Sequence, residues 1–240
     1  IEKVDSGAGV LFIVKNYSGD IMNFEMAAEM MTGTNETVLT NDDVAVEDSS
    51  FTTGRRGVAA TVIVEKIVGS LAEYGGSLEE CKKLGDKVNK NSGTMGVAFS
   101  SCIVPAAGKP TFELGADEME FGVGIHGEPG RRRDKIKSAQ EITNELLNAI
   151  IEDLKPENKD EILLFVNGMG GTPLSELYLV YDNAKKMLDN KKIKIARSLV
   201  GNYCTSLEMQ GASITLTKLD AELVKHWDSA VHTAAMRWGM

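Results

Sequence analysis

The chain is poor in the residues that most metal and redox chemistry needs. Its 240 residues include three histidines and three cysteines. Cys81, Cys102 and Cys204 are widely spaced, odd in number and form neither a CxxC pair nor a zinc-type pattern, so free thiols in a reducing cytoplasm are expected and no metal ligands. Basic charge is also scarce: the formal net charge is −9, which argues against nucleic-acid binding. No apolar run is long enough to cross a bilayer, which argues against a membrane partner. The opening residues, IEKVDSGAG, have neither an initiator Met nor a signal-peptide layout, so the start reads as processed or truncated. Neither a GxxxxGKS or GxxxxGKT loop nor a well-placed GxGxxG occurs, so no nucleotide site is expected in this chain.

What is present is ordinary in bulk: 42% hydrophobic and 25% charged residues, enough for one large core or two modest ones. Strand-like and helix-like stretches alternate. VLFIV (10–14) is a continuous apolar run and reads as a buried strand; Ile21, Phe24, Ala28 and Met31 follow at helical spacing, with Ser18 or Asp20 as N-cap. ETVLT is a second strand, GVAATVIVEKIVGSLAEY a long helix, and SLEE (77–80) and SAQE (138–141) are capping boxes opening further helices. The first of these carries Leu78, Cys81, Leu84 and Val88, the second Ile142, Leu146, Ala149 and Ile150. TMGVAFSSCIV, EMEFGVGIH, EILLFV, KIKIARSLVG and ASITLTKLD supply more strands, and a helix from Leu174 presents Leu177, Tyr178, Tyr181 and Leu188 on one face. The fold class is α/β, with two lobes of mixed β-sheets flanked by helices: residues 1–92 form the remainder of an N-terminal lobe truncated at its start, and residues 93–240 a second lobe.

Few motifs carry chemistry. NGMGGTP lies between a strand and a helix, but glycines at a tight turn explain it better than a phosphate loop. NDDVAVED does not follow the EF-hand order. GRR (54–56) and RRRDKIK (131–137) read as solvated loop charges, and His226 and His232 as packed or surface groups. KNYSGD sits at the carboxyl end of the first strand, where open α/β sheets bind ligands; by spacing alone Asp20 there is a helix cap rather than a base. His126 differs. It ends an alternating strand on the parity opposite to Met119, Phe121, Val123 and Ile125, among Gly124, Gly127 and Gly130, whose missing side chains suggest close approach of a ligand. A neutral imidazole there could attack a carbonyl.

Taken together, VKNYSGDIMNFEMAAE, DDVAVEDS, TTGRRGVA, VPAAGKPTFEL, EMEFGVGIHGEPG, TPLSELY, YCTSLEMQGASITL and HWDSAVHTAAMRWG resemble the substrate-binding subunit of dihydroxyacetone kinase, in the same order from about residue 7 to the end. The resemblance implies that His126 binds dihydroxyacetone covalently as a hemiaminal, that Asp20 is the general base, and that Lys15 lies beside the substrate. It implies a cytoplasmic homodimer of the bacterial, phosphotransferase-dependent type. ADP or ATP and magnesium would then be carried by a phosphoryl-donor partner subunit, with no cofactor or metal in this chain. Arg55, Arg56 or Arg131 to Arg133 would meet the partner's phosphates. Family members also carry a glycine-rich upstream segment with a further substrate histidine, which has no counterpart before VLFIV. A sensor role, as in relatives that bind the same triose to control transcription, is the alternative; the intact KNYSGD with its aspartate favours the kinase.

Overall fold

ILLFV (162–166) has an apolar side chain at every position, which a strand can bury only when both its faces are covered. The computed structural model describes residues 1–45, 54–126, 128 and 130–239 and has that arrangement. Its elements, in chain order, are β1 (Val10–Lys15), α1 (Ser18–Glu29), β2 (Asn35–Thr40), α2 (Ala60–Glu73), α3 (Leu78–Lys90), β3 (Ser92–Ala98), β4 (Glu118–Phe121), β5 (Arg132–Lys135), α4 (Ala139–Leu154), β6 (Glu161–Gly168), α5 (Leu174–Asn190), β7 (Lys194–Gly201), β8 (Gly211–Leu219), α6 (Ala221–Asp228), β9 (Val231–His232) and β10 (Arg237–Trp238). Six strands form a mixed sheet in the order β5-β4-β3-β8-β6-β7. β1 and β2 form a separate parallel pair.

Parity along β6 divides its side chains between two cores. Ile162, Leu164 and Val166 pack with Leu146 and Ile150 of α4 and Leu177 and Leu188 of α5. Leu163 and Phe165 face the other way, onto Ile63 and Ile67 of α2, Leu84 of α3 and Trp227 of α6. Each such side chain contributes about 1.5–3 kcal/mol by leaving water. On the second face β3 and β8 are joined by buried hydroxyls, Thr94 to Thr215 and Ser92 to Thr217, both at 2.7 Å. Thr94 also donates to Asp42, whose carboxylate accepts the backbone N–H groups of Val58 and Ala60 at 2.8 and 2.9 Å. A carboxylate from the end of β2 thereby satisfies the start of α2, whose own N-cap residue, Ala59, offers no side-chain acceptor.

Both capping boxes are present, Ser77 with Glu80 and Ser138 with Glu141. Several expectations need correction. Neither Ser18 nor Asp20 caps α1: Tyr17 holds the N-cap position, and both residues lie in the first turn. β1 is not buried throughout but alternates, because one face meets α1 and the other is only partly covered. The alternation in EMEFGVGIH outlasts its strand. β4 stops at Phe121, since Gly122 takes φ +73, while Val123 and Ile125 are buried in two other clusters without ladder pairing. RRRDKIK is no loop: Arg132 to Lys135 form the edge strand β5, paired with β4, and charge suits an exposed edge. Tyr178 is 53% exposed and so lies off the buried face of α5. Apart from these corrections, residues from both sides of the expected 92/93 line share one hydrophobic cluster, Val38 and Val64 with Leu163 and Phe165. No helix among the described residues is long and apolar enough to cross a membrane.

Candidate functional site

The site forms where the chain leaves β1. Asn16 is buried and tied on both sides: its N–H donates to the Thr40 carbonyl at 2.9 Å, and its amide Nδ2 to the Arg55 carbonyl at 2.7 Å. Gly57 makes this crossing possible, since a Cβ there would stand 2.4 Å from the Thr40 oxygen. With Asn16 fixed, Tyr17 turns inward and is 5% exposed. Its ring lies under the imidazole of His126, centroid to centroid 4.3 Å, tilted by 58°. The structure thus joins two sequence segments that are remote in the chain, KNYSGD and the histidine loop. Lys15 and Asp20 belong to the same segment: Lys15 ends β1 within electrostatic reach of Glu65 and Cys204, and Asp20 is half-exposed in the first turn of α1.

His126 has half its side chain open to solvent, while the carboxylate beside it, Glu128, is buried. Glu128 accepts the backbone N–H of His126 at 3.1 Å through one oxygen, and its other oxygen lies 3.4 Å from the ring Nδ1. Burial pushes the Glu128 carboxyl up, but the hydrogen bond from His126, its own backbone and the Arg56 charge outweigh this and hold it below the usual carboxylate range. The Tyr17 phenol goes the other way, raised by burial and by the charge of Glu128.

Arg56 ties this loop to the rest of the molecule. It is 1% exposed, donates from Nε to Asp43 at 2.8 Å, and reaches the Gly122 carbonyl at 2.5 Å. Burial raises Asp43 to about 6 in spite of the guanidinium. An interior Arg56 cannot meet an arriving phosphate, so this one arginine leaves the set expected to do so. Arg55 chelates Asp153 with both terminal nitrogens, and on β5 Arg132 and Arg133 pair with Glu145 and Glu120.

The glycines around His126 also have a different reason from the one expected. A Cβ at Gly124 would lie 2.0 Å from the Glu128 carboxylate, and one at Gly130 1.9 Å from the Phe121 carbonyl. They admit the protein's own groups rather than a ligand; Gly127 lies outside the described residues. In NGMGGTP likewise, a Cβ on Gly170 would meet the Leu207 carbonyl at 1.8 Å, so close backbone packing accounts for that glycine. Sequence reasoning missed Glu128, although a carboxylate two residues past a glycine-flanked histidine was a visible signal.

A Dak1 domain model matches residues 1–235. The chain belongs to the Dak1 family. This Dak1 chain is 51% identical over 225 residues to "PTS-dependent dihydroxyacetone kinase 1, dihydroxyacetone-binding subunit DhaK" of Listeria innocua, a match spanning 92% of this chain and 68% of that one. It is 45% identical over 264 residues to "PEP-dependent dihydroxyacetone kinase, dihydroxyacetone-binding subunit DhaK" of Escherichia coli K12, spanning 99% and 74%. Among solved structures, "Dihydroxyacetone kinase operon co-activator Dha-DhaQ" superimposes with a TM-score of 0.88 at 33% identity, over 95% of this Dak1 chain and 72% of the other.

Proposed function

We propose that this Dak1 chain is a dihydroxyacetone-binding kinase subunit, which holds the triose as a hemiaminal on His126 and presents its hydroxyl, beside Asp20, to a phosphoryl-donor partner. The observation that carries the reading is the half-open imidazole of His126 resting on Tyr17 of the segment that supplies Lys15 and Asp20. The two DhaK relatives support it by name, and the match to each includes most of this chain. The chemistry suits the ligand. A triose has too few atoms for tight noncovalent binding, and a reversible bond fixes its position without a large interface. Asp20 accepts the proton of the bound hydroxyl as that oxygen attacks phosphorus, and Lys15 adds positive charge next to it. Nucleotide and magnesium belong, in this reading, to the partner subunit.

Incubation with dihydroxyacetone followed by intact-mass measurement tests the first step. The wild-type chain gains one triose and His126→Ala gains none; equal labelling of both removes the covalent assignment. Asp20→Asn is expected to keep the adduct while phosphoryl transfer from a charged partner drops by about 10²–10⁴. Unchanged transfer refutes the base.

The likeness to the co-activator favours a second reading, in which the chain binds the triose only to report it. That reading gives stable adduct and no phosphorylated product with any charged partner.

A further inference from the structure

His126 must present a lone pair to a ketone, and a neutral imidazole has two tautomers, of which only one leaves Nε2 unprotonated. Left alone, a histidine ring favours Nε2–H, so a bare Nε2 needs a partner at Nδ1. The structure puts a selector beside it. Glu128 is 8% exposed, and its two oxygens face two sites on the same residue: the backbone N–H of His126 at 3.1 Å and the ring Nδ1 at 3.4 Å. An ionised carboxylate can only accept, so the nitrogen facing it must carry the proton. Gly124, with no Cβ, leaves the carboxylate the room to stand there, and its N–H donates to the Glu128 carbonyl at 3.3 Å. Tyr17 closes the opposite constraint by covering the ring at 4.3 Å, which limits its rotation.

We propose that Glu128 is a positioning residue for His126: it holds the imidazole in the Nδ1–H tautomer and so keeps Nε2 nucleophilic. The proposal deepens the covalent-binding reading and rests on it. In the addition, the Nε2 lone pair forms the bond to the carbonyl carbon, and the carbonyl π pair moves onto oxygen, which takes a proton. The imidazolium created keeps its Nδ1 proton, held toward the neighbouring carboxylate, and the oxygen takes its proton from solvent. Net, Nε2 and one proton add across C=O, and no further reactant is needed. The 3.4 Å separation at Nδ1 is long for a formed hydrogen bond, and it shortens when the ring becomes cationic.

Glu128→Gln tests this sharply because it preserves shape and reverses the code. A glutamine has a single accepting oxygen. With that oxygen kept by the fixed backbone N–H, its NH2 faces Nδ1 as a donor, and the ring must move its proton to Nε2. The first readout is the ¹⁵N spectrum of histidine-labelled protein without ligand, at a pH of about 8.5 where imidazole is neutral, with His126→Ala identifying the resonances. Wild type is expected as the Nδ1–H tautomer and Glu128→Gln as Nε2–H. The second readout is the dihydroxyacetone concentration giving half-maximal adduct, expected to rise about tenfold or more in Glu128→Gln, as a wrong tautomer costs a histidine its nucleophilic or basic nitrogen. A wild-type ring in the Nε2–H form, or a variant with unchanged half-saturation, overturns the proposal. A purely structural Glu128 would alter thermal stability and leave the tautomer where it was. Should the variant fail to fold, the wild-type spectrum still decides. Should wild type form no adduct, the functional reading falls, while the tautomer measurement separately judges the hold of Glu128 on the ring.

Discussion

At Gly124 a single methyl group would displace the Glu128 carboxylate, which lies 2.0 Å from where the carbon would go, and press on an Arg56 nitrogen at 3.0 Å. Arg56 is anchored to Asp43 and cannot yield cheaply. Gly124→Ala is therefore expected to lower unfolding stability by about 1–3 kcal/mol, and to weaken triose capture together with it. Urea melts and adduct titration of the one variant check both; retained capture at reduced stability would separate the glycine from the site. At this scale the sequence was legible only in part. Parity and the family-like motif marked His126, Lys15 and Asp20. Glu128 and Arg56 look like solvated loop charges until the fold carries them inside, where burial makes each depend on a partner that no local spacing announces.

Among the elements, helix starts written locally could be read and those supplied from a distance could not. Ser77 and Ser138 sit three residues before the glutamates that complete their caps. Ser77→Ala and Ser138→Ala should each cost about 1 kcal/mol. The helices lie on opposite faces of the sheet, so the double variant should lose the sum; a denaturant series on the set of proteins measures it. α2 hides its start, because Asp42 provides the acceptors from the end of β2. β5 was equally hidden, its charges concealing a strand that edge exposure permits. The end of β4 was misplaced because alternation reports burial, and burial continued past Gly122 after the ladder had stopped.

For the molecule as a whole, the α/β class with a mixed sheet was legible from the alternation of elements, and the family from long blocks of sequence in order. The strand order was not, since residues that pair β3 with β8 are more than a hundred positions apart. Burial of the three cysteines tests the packing of that whole. All are enclosed, and burial pushes the Cys204 thiol up to about 12. Under native conditions at a pH of about 8 each should react with a thiol reagent only as fast as the fold opens, whereas all should react at once in guanidinium. Immediate labelling of a native thiol would contradict the packing around it. The pairing of imidazole and phenol has one more consequence. Nuclei held so close to an aromatic face feel its ring current, which falls steeply with distance: His126 lies 4.3 Å from Tyr17, whereas His226 lies 6.3 Å from Tyr74. The proton resonances of His126 should stand apart from those of the other two histidines, giving this protein a built-in magnetic reporter through which arrival and departure of a triose can be watched without a coupled assay.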